Sequence, residues 1–97
     1  MFILMIVGIC TVELYIPHSQ SLKAKRQVLL SLKDRLKGKF NLSVAEVGDQ
    51  ELWQKAVLGM AFVANESTYV RKVLDQALHV IQSVPTIEVL HHQIELV

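Results

Sequence analysis

Apolar positions recur every second residue in several stretches of the chain, which is the pattern of β-strands. Residues 2–16 have one face that is apolar along its whole length and a second face that is apolar only through Ile9, so we expect a central strand. Gly8 interrupts the first face, which indicates a bulge or a close approach by another element. Residues 53–64 alternate between two apolar faces and predict another central strand.

Two other stretches have the period of amphipathic helices. Leucines recur at helical spacing in residues 22–37, and Gly38 predicts the end of that helix. A second helix follows and ends within residues 83–85. The candidate N-caps are Ser19 or Ser21 for the first helix and Asn65 or Ser67 for the second.

Residues 40–47 and 86–97 supply the remaining strands, with residues 48–51 as a turn or loop. In the last strand the apolar phase changes: Ile87 and Val89 share one parity, and later apolar residues share the other. We therefore expect a bulge or a change of face near Leu90.

The order βαββαβ predicts an α+β fold, the ferredoxin-like split βαβ arrangement, as a single domain over residues 1–97. It has a four-stranded antiparallel sheet with two helices on one face. Right-handed crossovers give the strand order 4-1-3-2.

The lone Cys10 excludes an intrachain disulfide. The apolar N-terminal stretch has no preceding Lys or Arg and ends at Glu13, well short of the roughly 20 residues that span a bilayer. We expect a buried strand in a cytoplasmic protein that does not contact a membrane.

Basic residues concentrate in residues 19–41, which carry a net charge of +6 while the whole chain carries only +1. The first helix opens with three cations, although a helix N-terminus favours negative charge. The predicted fold brings this helix start beside the end of the first strand and the loop of residues 48–51. We hypothesise that this edge binds phosphate, of RNA or of a smaller ligand. The candidate contacts are Ser21, Lys23, Lys25, Arg26, Lys33 and Lys37.

We expect the acidic residues Glu46, Asp49 and Glu51 to hold the loop in place by pairing with some of those cations. An alternative is that they pair with all of the cations and leave nothing free to bind a ligand. A different alternative uses the open face of the sheet as an interface between copies of the chain or with another partner. The apolar residues that favour it are Ile3, Met5, Val7 and Ile9.

No cofactor or metal site is predicted. His91 and His92 are consecutive on a strand, so their side chains point to opposite faces, and Cys10 belongs to the core. We expect Trp53 to pack over the sheet edge, and the less favoured alternative is that it stacks on a ligand. No catalytic motif is present, and a remote alternative is an enzyme that acts on a phosphorylated small molecule, with His18 and Asp49 or Glu51 as acid and base.

RNA-recognition modules of this fold stack bases on aromatic residues of the sheet face, which this chain lacks. RNA would therefore bind through the basic helix and loops.

Three segments resemble the bacterial YlxP-like family, whose function is unknown: SLKxKR at residues 21–26, FN at residues 40–41 and AEVGDxxLWQ at residues 45–54. The resemblance covers nearly the whole chain and implies a small ferredoxin-like domain with no established catalytic residues. Genes of this family often lie near those of a translation initiation factor and a ribosome-binding maturation factor. This context implies ribosomal RNA or a ribosomal subunit as the partner. Self-association is expected only on the separate ground of the open sheet face, and DNA is not expected as a partner.

Overall fold

The computed structural model describes residues 3–97, which form four strands and two helices in the predicted order. The strands make one antiparallel sheet in the order β2-β3-β1-β4, which confirms the α+β class and the predicted topology. The elements are β1 Ile6–Tyr15, α1 Leu22–Lys39, β2 Ser43–Gly48, β3 Lys55–Ala64, α2 Ser67–Gln82 and β4 Glu88–Leu96.

One hydrophobic core lies between the sheet and the two helices. Alternate residues of β1 (Cys10, Val12 and Leu14) are fully buried there, together with leucines of α1 and the apolar stripe of α2. Gly8 lies in the same row of β1, and a Cβ atom added to it would lie 2.6 Å from Leu74 Cδ1 and closer still to Val70 Cγ1. The close approach expected at Gly8 is therefore the packing of α2 directly on the backbone of β1.

β1 is shorter than predicted. Residue 2, where we expected the strand to begin, lies outside the described residues, and residues 3–5 precede the strand. The reason is the length of the neighbours: β3 ends with Ala64 opposite Ile6, and on the β4 side the last backbone pair joins Val7 and Val97. Residues 3–5 have no strand beside them to complete a ladder.

The irregularity expected in the last strand is confirmed as a register shift between β1 and β4 at Glu13/Leu14. Val89 pairs with Leu14 and His91 with Glu13, so Leu90 is the extra residue. As a result Val89 and Ile94, which differ in parity, both pack against the core.

The helix ends differ from two expectations. α1 continues through Gly38 to Lys39, and the Phe40 backbone N–H donates to the Leu36 carbonyl. No described glycine has a positive φ, so Gly38 is not the terminating residue that we predicted. The N-cap of α2 is Glu66, whose side chain makes no capping hydrogen bond, whereas Ser21 caps α1. Within residues 3–97, neither helix is long and apolar enough to cross a membrane.

Candidate functional site

Lys25, one of the predicted phosphate contacts, is fully buried. It lies four, seven and eleven residues before Leu29, Leu32 and Leu36, which are the buried residues of α1. That spacing puts all four side chains on one face of the helix. The face turns towards the sheet, and the lysine side chain is carried inward with the leucines.

The ammonium group of Lys25 is held by the loop between β2 and β3. It donates to the carbonyl oxygens of Asp49 at 2.9 Å, Gln50 at 3.3 Å and Lys55 at 3.0 Å. Its Nζ also lies 2.9 Å from Glu46 Oε2, in an ion pair whose side chains are 0% and 15% exposed. The three carbonyls account for all three protons of an ammonium group. The buried Glu46 Oε2 has no hydrogen-bond donor among the described residues, so its recorded contact with Lys25 is the ion pair.

Further hydrogen bonds fix the same loop. Asp49 has a left-handed backbone with φ 58°, and its carbonyl accepts from the Leu52 N–H at 3.0 Å. The Gln54 side chain donates to the Pro17 carbonyl at 3.1 Å, and the Gln54 carbonyl accepts from the Ile16 N–H at 2.7 Å. The loop is thereby tied to the end of β1 and, through Lys25, to the start of α1.

The burial of Lys25 corrects its predicted role, because a fully enclosed ammonium group has no surface to offer a phosphate. Lys23, Arg26 and Lys37 are exposed, and Lys33 is half-buried. Ser21 accepts a hydrogen bond from the Ala24 N–H at 3.0 Å, so its oxygen is used as the helix cap. The structure therefore leaves Lys23 and Arg26 as the exposed cations at the start of α1.

Of the three acidic residues expected to pair with this edge, Glu46 does so, through its ion pair with Lys25. Among residues 3–97, Lys25–Glu46 is the single ion pair within 4.0 Å. Asp49 contacts Lys25 through its backbone carbonyl, and the exposed Glu51 forms no ion pair with a described cation. Lys23 and Arg26 thus have no carboxylate partner in this part of the chain.

Next to this edge lies a groove of about 530 Å³ that the sequence did not reveal. Trp53, which we expected to pack over the sheet edge, is 55% exposed and forms one wall. The lining residues come from the end of β1, the approach to α1 and the β2–β3 loop. They are Tyr15, Gln20, Leu52, Trp53, Gln54 and Lys55.

The open face of the sheet carries a second apolar surface. Ile9 and Val63 are 38% and 55% exposed, and a shallow groove of about 330 Å³ lies nearby over Gly59 and Ala61. Of the predicted interface residues, Val7 and Ile9 belong to β1, whereas Ile3 and Met5 precede it and are exposed beyond the sheet. The predicted four-residue interface is therefore not one continuous sheet surface.

Cys10 is buried, and burial, with a smaller contribution from the charge of Asp75, raises the pKa of its thiol from 9.0 to about 11. The thiol is therefore protonated and unreactive at neutral pH. His18, His91 and His92 are exposed. No three His, Cys, Asp or Glu side chains come together as a metal-binding group anywhere in residues 3–97.

A family model described as "Protein of unknown function (DUF503)" matches residues 7–94 of the chain. The uncharacterised protein YlxP of Bacillus subtilis (strain 168) is 38% identical over 82 residues, which cover 84% of this chain and 89% of YlxP. These matches confirm the resemblance to the YlxP-like family and extend it over both central strands and both helices.

Two solved structures share the fold at low identity. The de novo designed protein Foldit4 matches with a TM-score of 0.55 and 9% identity, covering 96% of both chains. A C-terminal segment of the alpha subunit of aIF2 from Pyrococcus abyssi matches with a TM-score of 0.53 and 10% identity, covering 99% of this chain and 51% of that one. At such identities the likeness concerns the fold alone.

Proposed function

The chain belongs to the DUF503 family of proteins of unknown function, and for this member we propose a non-catalytic role in the cytoplasm as an RNA-binding module of translation or ribosome assembly. The phosphates of a single-stranded segment of ribosomal RNA would contact the start of α1. The supporting observation is that Lys23 and Arg26 are exposed there with no carboxylate partner among the described residues.

The electrostatics of α1 favour an anion at this position. A helix N-terminus carries a partial positive charge, and the first turn of α1 contains no acidic residue. Two further cations follow along the same flank, because Lys33 and Lys37 are separated from Arg26 by multiples of helical spacing. A phosphate backbone lying along this flank would meet Lys23 and Arg26 first and then Lys33 and Lys37.

The braced β2–β3 loop supports the same proposal. Lys25 and Glu46 neutralise each other inside the protein, so the cations that the start of α1 presents at the surface are Lys23 and Arg26. Lys25 thus acts as a positioning residue, and it holds the loop beside the phosphate-binding cations.

Salt dependence distinguishes this proposal from non-ionic binding. Binding of single-stranded RNA and of ribosomal subunits would be measured from low to high salt for the wild type and for Lys23→Ala/Arg26→Ala. Each phosphate contact on a single strand contributes roughly 0.7 to the slope of log K against log salt. We expect the double variant to bind more weakly and to lose roughly 1.4 from that slope.

Arg71→Ala/Lys72→Ala provides the matched control, because it removes the same charge from exposed positions on α2. It should keep the wild-type slope. Salt-insensitive binding, or equal losses in both double variants, would contradict the proposal.

A second candidate function is self-association or protein binding through the open sheet face. The observation that favours it is the exposure of Ile9 and Val63 beside the small residues Gly59 and Ala61. A flat apolar surface of this kind on a sheet is typical of an interface.

A further inference from the structure

Trp53 is exposed in a loop that is otherwise firmly fixed. Its indole is 55% exposed and the adjacent Leu52 is 47% exposed. The same loop is held by a buried lysine, which is an expensive way to fix a surface turn. Lys25 binds backbone carbonyls on both sides of Trp53, those of Asp49, Gln50 and Lys55, so the exposed tryptophan extends from a backbone that is fixed on either side.

The groove beside Trp53 has the chemistry of a stacking site. Trp53, Tyr15 and Leu52 provide aromatic and apolar walls, which suit the flat face of a heterocyclic ring. Gln20 adds an amide whose donors and acceptor make no hydrogen bond within residues 3–97, and the Gln54 amide donates to the Pro17 carbonyl while its oxygen accepts from no donor in the same range. The volume of about 530 Å³ is enough for a base and part of its sugar.

Charge indicates what kind of molecule carries that ring. Lys55 lines the groove itself, and Lys23, three residues after Gln20, lies in the first turn of α1. Counting Arg26, this edge has three exposed cations and the two exposed acidic residues Asp49 and Glu51. The balance favours an anionic ligand with an aromatic group, which describes a nucleotide better than an apolar peptide.

We infer that the groove binds one unpaired base of the RNA strand, stacked against Trp53, with its flanking phosphates directed to Lys55 and Lys23. This inference rests on the proposed function and adds the chemical class of the ligand group and the residue that contacts it. Stacking of this kind tolerates any base, because every base has an aromatic face.

Trp53 is the sole tryptophan of the chain, so its fluorescence reports on the groove directly. The protein would be titrated with oligouridylate and with an abasic oligomer that has the same number of phosphates. We expect oligouridylate to quench Trp53 fluorescence and to bind about tenfold more tightly, since one stacked base contributes between about fivefold and a hundredfold. The abasic oligomer should bind with the same salt slope and without quenching.

Trp53→Ala and Trp53→Phe separate stacking from phosphate contact, with binding followed by the anisotropy of a labelled oligomer. We expect Trp53→Ala to lose the preference for oligouridylate over the abasic oligomer, to keep the salt slope and to keep the wild-type thermal transition, because the side chain is exposed. Trp53→Phe should retain part of the preference. Lys23→Ala/Arg26→Ala should change the slope and keep the preference.

The outcomes identify which idea fails. Equal affinity for both oligomers, with no quenching of Trp53 fluorescence, would overturn the stacking inference. If that binding were still salt-sensitive, the proposed function would stand. No salt-sensitive binding of either oligomer would overturn both. If Trp53→Ala lost binding to ribosomal subunits but bound oligouridylate as the wild type does, the base-stacking inference would be wrong. Trp53 would then contact a ribosomal protein.

Discussion

A lysine ammonium group with no exposed surface is costly unless its charge and all its protons find partners. Lys25 meets both conditions with three backbone carbonyls and Glu46. Its partners lie in a loop far along the chain, so the side chain joins α1 to the β2–β3 connection. We therefore expect Lys25 to matter more for stability than any exposed cation of the same helix.

Replacing Lys25 tests this expectation. Lys25→Ala leaves the Glu46 carboxylate without its partner and removes a hydrogen bond from each of three carbonyls, and we expect it to lower the free energy of unfolding by about 3 kcal/mol. Lys23→Ala is the control, because it removes the same charge two residues away from an exposed position. Urea denaturation would measure the free energy of unfolding of both variants. Similar decreases in the two would contradict the expectation that Lys25 stabilises the fold more than an exposed lysine does.

The buried thiol of Cys10 predicts how stability changes at high pH. Its pKa is raised from 9.0 to about 11 by burial, so above pH 9 the unfolded chain loses a proton that the folded chain retains. The free energy of unfolding should therefore fall as the pH rises from about 9 towards 11.

Chemical denaturation at pH 8, 9 and 10 would measure this fall, with Cys10→Ala as the reference. The variant lacks the thiol and should show a smaller decline over the same range. A wild type and a variant with parallel pH profiles would be inconsistent with a protonated Cys10 in the core.

The inward direction of Lys25 was present in the sequence, since its spacing to Leu29 and Leu32 is that of the apolar face. We predicted an exposed position for Lys25 because lysines in a basic segment are usually exposed. Which carbonyls it contacts could not be predicted, because they belong to a loop whose path depends on the whole sheet. The half-exposed indole of Trp53 was missed for a similar reason: side-chain exposure in a loop is set by tertiary packing.

Among the elements, α2 packs directly on the backbone of the central strand β1. The row of β1 that faces α2 contains Gly8, where the valine and leucine side chains of the helix approach the strand backbone. The absence of a side chain at this position lets the helix lie close to the central strand.

Adding a methyl group at Gly8 should therefore be destabilising. We expect Gly8→Ala to lower the free energy of unfolding by about 1–3 kcal/mol, because Val70 and Leu74 must move. Gly38→Ala offers a matched control within α1, since a Cβ atom there meets nothing within 4 Å. That variant should gain roughly 0.5–1 kcal/mol from its better helix propensity. Thermal unfolding would measure both, and a neutral Gly8→Ala would contradict the close packing.

At the level of elements the sequence predicted most of the fold. Periodicity found both helices and all four strands, and the phase change at Leu90 located the bulge. The strand end was less predictable because it depends on neighbours: residues 3–5 leave the strand where β3 and β4 end. The α1 helix continues past Gly38 to Lys39, and the Phe40 N–H still donates to the Leu36 carbonyl.

The molecule as a whole has two surfaces with different chemistry. The basic start of α1 and the groove of Trp53 lie at the end of the sheet where β1 finishes, while the open face is apolar around Ile9 and Val63. The groove combines residues from three separate parts of the sequence, so the linear pattern did not predict it.

The apolar open face of the sheet predicts that copies of the chain associate through it. A single charge introduced on that face should prevent the association. If copies of the chain pair through this face, Val63→Glu places a buried charge in the interface and should keep the protein monomeric. Thr68→Glu, at an exposed position on α2, is the control and should associate like the wild type. Sedimentation velocity across micromolar concentrations would decide, and a wild type that stays monomeric throughout would rule out this interface.

The strand order also has a consequence for how the chain folds during synthesis. β1 is made first, yet its two neighbours are β3 and β4, the third and the last strands of the sequence. The β2–β3 pair is the one strand pairing that can form locally, and both pairings of β1 must wait for distant residues. Such long-range pairings slow folding. One edge of β1 therefore stays open until residues 88–96 have left the ribosome, and the nascent chain must be protected from aggregation during that interval.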